Sequence, residues 1–154
     1  NANGYDLNRD WPEVDLRRKD CLEQMPEIWY VKKAILAHLD SGQHIDLMLN
    51  LHNTETGEFL ETQADDPAAQ AVLQRLQDRL AADTTFDPSQ KPGLSKRPGT
   101  DTNSLWRERR VPVVLMEQRI SPSRKLGRRP TIEDRLQFGR SLVAAMADSV
   151  FTTD

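Results

Sequence analysis

The sequence predicts an α/β sandwich, in which helices cover a sheet of short, strongly apolar strands. Two nearly continuous apolar runs, residues 44–51 and 111–117, have the length and composition of buried strands. Segments with apolar residues at helical spacing precede, separate and follow these runs, and this alternation is typical of α/β folds. The 154 residues are enough for one domain with a substantial core.

The first predicted helix covers residues 26–40. It opens with Pro26, which suits a first helical turn, and Ser41-Gly42 ends it. Its apolar residues recur at helical spacing, at Ile28, Val31, Ile35 and Leu39. The predicted strand 44–51 follows and places His52 at its carboxyl end, where ligands bind in open α/β sheets.

The second predicted helix covers residues 67–83. It opens with Pro67 and carries apolar residues at Ala71, Leu73, Leu76 and Leu80. Residues 84–104 are rich in proline, glycine, serine and threonine. They predict a long loop, and loops of this length are more often functional than plain connectors.

The second predicted strand, residues 111–117, ends in Glu117. A basic loop with two prolines separates it from the last predicted helix. That helix begins near Thr131, in a sequence close to a capping box, and runs to about Val150. The predicted order is therefore helix, strand, helix, strand, helix.

The composition excludes several classes of protein. No apolar run approaches the ~20 residues that a membrane span needs, and no signal peptide is visible. The net charge is −3, and the arginine-rich runs 107–110 and 124–129 lack interleaved aromatic residues apart from Trp106. We therefore expect neither a nucleic-acid nor a membrane partner.

Cys21 is the only cysteine, which excludes an internal disulfide; we favour the cytoplasm, although export fits too.

Polar residues that a plain core would not need follow both predicted strands. His52 follows the first strand, Glu117 ends the second, and Asn8-Arg9 lies in a turn-rich loop near the start of the sequence. Taken singly, His52 could be a structural histidine and Glu117 could mark the return of the chain to solvent. Together they provide an imidazole that can bind a metal, a carboxylate, and a guanidinium that can bind a carboxylate through two hydrogen bonds.

The segment Gly4-Tyr5-Asp6-Leu7-Asn8-Arg9-Asp10-Trp11 resembles the signature loop of the zinc carboxypeptidases of the carboxypeptidase A type. Residues 45–54 resemble the strand that delivers the second zinc histidine of that family. Residues 113–117 resemble the strand that ends in its catalytic glutamate. The order and spacing of the three segments agree with the family, and the resemblance covers nearly the whole chain.

The resemblance implies a three-layer α/β/α sandwich with a mixed, mostly parallel sheet. Residues 1–154 would form the C-terminal portion, about two-thirds, of one catalytic domain. The resemblance also implies zinc as the cofactor, His52 as a metal ligand and Glu117 as the catalytic residue. Asn8 and Arg9 would bind the terminal carboxylate of a peptide, whose last peptide bond would be hydrolysed. A metal-dependent amidohydrolase acting on acylated amino acids and a non-catalytic module that binds peptide C-termini remain alternatives.

The sequence departs from the family pattern in two places. The family's first metal motif, His-x-x-Glu, lies before the Asn-Arg loop, so we expect further ligands from a segment upstream of Asn1 and no activity from these 154 residues alone. A His-x-x-Glu does occur at His52–Glu55, but it follows that loop, and we expect Glu55 to be a loop residue. The family's mobile tyrosine has no match; Lys96 or Arg97, from the same region, could instead bind an acidic substrate side chain.

Overall fold

The structure, a computed structural model, describes residues 1–95 and 97–152. A single-turn 3-10 helix spans Trp11–Glu13. The α-helices are α1 (Lys19–Gln24), α2 (Pro26–Asp40), α3 (Pro67–Asp83), α4 (Asp101–Arg109) and α5 (Ile132–Phe151). The strands are β1 (Met48–Thr54), β2 (Phe59–Thr62), β3 (Gly93–Leu94) and β4 (Val113–Arg119).

The four strands form one mixed sheet in the order β1-β4-β2-β3. The pairs β1–β4 and β2–β3 are parallel, whereas β2 and β4 are antiparallel. Within the described residues β1 therefore pairs with β4 alone and lies at one edge of the sheet. The β1–β4 register begins at Met48 and Val113 and pairs His52 with Glu117.

Helices pack on both faces of the sheet, which confirms the predicted three-layer α/β/α sandwich. On one face, α3 and α5 pack against Leu60, Val114 and Met116. On the other face, the 3-10 helix, α1, α2 and α4 contribute to a second core around Val113. Successive side chains of a strand point to opposite faces, and this explains why Val113 and Val114 lie in different cores.

The three long helices agree closely with the sequence-based predictions. The predicted helices 26–40 and 67–83 are confirmed at both ends. The last helix is confirmed with the predicted capping box. In it, Thr131 Oγ1 accepts the Asp134 N–H at 3.3 Å, and the Asp134 carboxylate accepts the Thr131 N–H at 2.6 Å.

Both predicted strands were placed a few residues too early. β1 begins at Met48, whose N–H donates to the Pro112 carbonyl at 3.0 Å, and it continues through His52 to residue 54. β4 likewise spans 113–119 rather than 111–117, so Glu117 lies inside it. The starts of these strands depend on hydrogen bonds between two segments that are distant in the sequence. The apolar composition of one segment carries no information about that pairing.

The predicted order of elements was also incomplete. The prediction of a loop over residues 84–104 is wrong at β3 and at the first residues of α4. α4 begins at Asp101 because Thr100 Oγ1 accepts the N–H of Asn103 at 3.3 Å and so caps the helix. The six-residue α1 and the four-residue β2 are too short to carry a clear periodic pattern.

The arginine-rich runs make contacts within the chain. Arg109 pairs with Asp40 at 2.9 Å. Lys125 donates from Nζ to the Thr84 carbonyl at 2.9 Å, just past the end of α3. Arg128 pairs with Asp134, the third residue of α5, which belongs to the capping box. In the described part of the chain, no helix has the length and apolar character to cross a membrane.

Candidate active site

A polar cluster lies on the sheet face that carries α2 and α4. Residues paired in register on neighbouring strands point to the same face, so His52 of β1 lies beside Glu117 of β4. On the same face Asn50 lies beside Leu115, and Phe59 of β2 lies on the other side of Glu117. The sheet thus places an imidazole and a carboxylate side by side near the carboxyl ends of two parallel strands.

The loop that carries Asn8 contacts this cluster directly. Asn8 Nδ2 lies 3.4 Å from His52 Nε2. The loop is fixed to the helices by Lys32, which is only 4% exposed. Its Nζ donates to the Trp11 carbonyl at 3.2 Å and pairs with Glu108 Oε1 at 2.9 Å. α2 and α4 therefore hold the Asn8 loop over the sheet.

The segment that leads into α4 also joins the site. The Trp11 N–H donates to the Gly99 carbonyl at 3.0 Å, and the Asp101 N–H donates to Asn8 Oδ1 at 3.2 Å. The Asp101 side chain is buried, and its Oδ1 accepts the Thr102 N–H at 2.8 Å. Sequence reasoning missed Asp101, since it fell inside a predicted loop.

The electrostatics of Glu117 are those of a partly buried carboxyl group. Burial raises the pKa of Glu117, while the neighbouring charges of His52 and Arg97 lower it and that of Glu61 raises it. Its Oε2 atom is buried and has no hydrogen-bond partner among the described residues. Burial raises the pKa of Asp101 as well, against the opposing effect of its hydrogen bond from Asn50. Shifted carboxyl pKa values in a cleft are typical of functional sites.

We expect Glu117→Gln to stabilise the 154-residue chain at pH 7. The pKa of Glu117 is higher in the folded than in the unfolded chain, so its ionised form costs folding free energy above the raised pKa. That cost disappears as the pH falls below the ordinary pKa of glutamate, and glutamine removes it at every pH. Urea unfolding should therefore show a gain at pH 7 that shrinks towards about pH 4.

Glu55→Gln is the matched control, because Glu55 is exposed in the loop after β1. It should give no comparable gain. A loss of stability on Glu117→Gln at pH 7, or a gain that does not depend on pH, would contradict the electrostatic account of this carboxyl group.

Arg9 lies differently from His52 and Glu117. Arg9 is exposed; its guanidinium donates to the Asn8 carbonyl at 2.6 Å and lies 4.0 Å from the Asp6 carboxylate. Within the described residues Arg9 makes no hydrogen bond or ion pair with His52 or Glu117. Its predicted role in binding a carboxylate therefore stays a prediction.

The remaining candidates lie at the periphery of the cluster. Glu55 lies in the exposed loop that follows β1, as predicted. Arg97 is exposed, yet it is near enough to lower the pKa of Glu117. Lys96 lies outside the described residues.

The described residues supply only part of a metal site. Among them, no group of three or more His, Cys, Asp or Glu side chains could hold a metal ion. A catalytic zinc takes three protein ligands and keeps one position open. Of the residues in this cluster, His52 has a side chain of a type that binds zinc, and it lies beside the Glu117 carboxylate. A cavity of about 430 Å³ adjoins His52 and is lined by Asn8, Asp101 and residues 48–52, along the edge of β1 that pairs with no other described strand.

The fold is similar to that of solved metallo-carboxypeptidases. A metallo-carboxypeptidase from Pseudomonas aeruginosa, in complex with (2-guanidinoethylmercapto)succinic acid, has a TM-score of 0.75 and 21% identity over 97% of this chain and 41% of its own. One from Burkholderia cenocepacia has a TM-score of 0.73 and 19% identity, over 97% of this chain and 39% of its own. The chain therefore spans about two-fifths of the length of these structures.

No protein-family model matches the sequence, and no curated protein sequence matches it either. At the identities of the solved structures, the likeness establishes a shared fold. The class that the structure defines is thus an α/β fold of the metallo-carboxypeptidase type.

Proposed function

We propose that the chain is the C-terminal part of a zinc-dependent metallocarboxypeptidase, which hydrolyses the last peptide bond of its substrates. One observation carries this proposal. On a fold of the metallo-carboxypeptidase type, three distant segments bring together Asn8, His52 and Glu117. These are the residues to which the sequence resemblance assigns substrate binding, metal binding and catalysis.

His52 would be one of the protein ligands of the zinc ion, which when bound supplies Lewis-acid activation of water and of the scissile carbonyl. Glu117 would accept the proton of the attacking water and donate it to the leaving amine. The raised pKa of Glu117 supports this role, because a catalytic base works best when its pKa approaches the working pH. Its Oε2 atom has no hydrogen-bond partner among the described residues, so no neighbouring donor there occupies it.

Asn8 and Arg9 would bind the terminal carboxylate of the substrate. In the free protein the Arg9 guanidinium is exposed, donates to the Asn8 carbonyl at 2.6 Å, and makes a surface contact with Asp6, which is worth little. Arg9 can therefore exchange this contact for two hydrogen bonds to a carboxylate. The ligand bound by the Pseudomonas protein is a derivative of succinic acid, a molecule with carboxyl groups, which agrees with a carboxylate-containing substrate.

The remaining zinc ligands would come from polypeptide outside these residues, in a His-x-x-Glu upstream of Asn1. The free edge of β1 runs beside His52 and leaves room for such a segment. We therefore expect the 154-residue chain alone to be inactive.

Cleavage assays test the proposal on a form of the protein that carries the upstream ligands. It should release the last residue from peptides with a free C-terminus and leave C-terminal amides intact. Arg9→Lys should lower kcat/KM by about 10–100-fold, because lysine cannot form the paired hydrogen bonds. Equal cleavage of acids and amides would contradict the proposal. Hydrolysis of acylated amino acids but not of peptides would indicate an amidohydrolase instead.

A further inference from the structure

The first N–H groups of an α-helix have no partner within the helix, and at α4 one of them binds Asn8. Asp101 is the first residue of α4, and its N–H donates to Asn8 Oδ1 at 3.2 Å. This bond occupies the oxygen of the Asn8 amide. The amide nitrogen Nδ2 is consequently turned into the cleft, where it lies 3.4 Å from His52 Nε2.

The main chain at Asp101 is held firmly in place. The residue is only 2% exposed, and its Oδ1 accepts the N–H of Thr102 at 2.8 Å. A second hydrogen bond, from the Trp11 N–H to the Gly99 carbonyl at 3.0 Å, joins the same two segments. The N–H that orients Asn8 is therefore a fixed donor.

We propose that Asp101 is a positioning residue, whose main-chain N–H sets the orientation of the Asn8 side-chain amide. The purpose of this orientation rests on the proposed function. An amide with Nδ2 in the cleft offers N–H donors to a substrate carboxylate. The reversed amide would present an oxygen to that carboxylate and repel it. The start of α4 thus selects the donor end of Asn8 for binding.

Amide exchange in the 154-residue chain provides the first test. Asn8→Ala removes the acceptor, so the Asp101 amide proton should exchange with solvent about tenfold faster, the expected effect of one lost hydrogen bond. Asn8→Asp keeps an acceptor oxygen and should retain the protection. Ser104 serves as the internal reference, since its N–H donates to the Thr100 carbonyl at 2.9 Å and should not respond. Unchanged exchange at Asp101 in Asn8→Ala would overturn the proposal.

A matched pair of substitutions at Asp101 provides the second test. Asp101→Pro removes the N–H but suits the first position of a helix, and Thr100 has the extended backbone (φ −77°, ψ 160°) that proline requires before it. Asp101→Asn keeps the N–H. In NMR spectra the Asn8 side-chain amide should remain rigid in wild type and Asp101→Asn. In Asp101→Pro the Asn8 side-chain amide should become as mobile as the side-chain amide of the exposed Asn53.

An Asn8 amide that stays rigid in Asp101→Pro would contradict the proposal, and if that variant does not fold, amide exchange decides alone. Both readouts are independent of catalysis. An oriented Asn8 in a protein that cleaves no peptide would leave the positioning role intact and remove only the proposed function. In a cleaving form, Asp101→Pro should raise KM about tenfold and leave kcat nearly unchanged.

Discussion

Gly99→Ala should destabilise the chain by at least about 2 kcal/mol and displace the loop that carries Asn8 and Arg9. Gly99 has a φ of +87°, a conformation that costs a residue with a side chain roughly 1–2 kcal/mol. A Cβ atom at this position would also lie 1.9 Å from the Arg9 carbonyl oxygen, far inside van der Waals contact. The two segments would have to separate, and both hydrogen bonds between them would be strained or lost.

Gly42→Ala is the matched control for this prediction. Gly42 has nearly the same φ, +84°, but a Cβ atom there would meet nothing within 4 Å. Urea unfolding should show only the backbone cost at Gly42, and a clearly larger loss at Gly99. Equal losses in the two variants would contradict the close packing of the 97–101 segment against the Asn8 loop.

Glu117→Gln should lower kcat/KM by about 10²–10⁴-fold in a form of the protein that carries the remaining metal ligands. The loss should fall on kcat, with KM little changed, because glutamine fits the same space but cannot accept the proton of water. Steady-state cleavage of a peptide with a free C-terminus measures both constants. Glu55→Gln, at the exposed loop after β1, should behave like the wild type.

The same substitution at Glu117 thus has opposite expected effects on stability and on activity. Removing a partly buried charge stabilises the fold at pH 7, whereas removing a base abolishes catalysis. If Glu117 had a purely structural role, its replacement by glutamine would lower both the stability and the activity. A Glu117→Gln variant that is both less stable and inactive would therefore contradict the catalytic assignment.

The long helices were predictable from the sequence because their signals are local. α2 and α3 each begin with a proline and carry apolar residues at helical spacing over at least 15 residues. β2 and β3 were not predictable, since they contain four and two residues and exist only through pairing with segments far along the chain. The ends of β1 and β4 shifted for the same reason.

The site shows the same division between local and distant information. The combination of residue types and the family resemblance indicated His52 and Glu117, but their adjacency depends on the register of β1 against β4, which no local pattern specifies. Asp101 joins the site through the hydrogen bond from its N–H to Asn8, which is distant in the sequence. In hindsight, Thr100 followed by an acidic residue is a helix start signal within the apparent loop. The roles of these residues remain predictions.

Zinc content tests the central claim most directly, measured by elemental analysis on a form of the protein that carries the upstream His-x-x-Glu. We predict about one zinc per chain, as for a catalytic site with three protein ligands. The zinc should be lost in His52→Ala and retained in His44→Ala, whose histidine is exposed before β1. Absence of zinc from that form, or undiminished zinc in His52→Ala, would contradict the metallocarboxypeptidase assignment and leave a module that binds carboxylates.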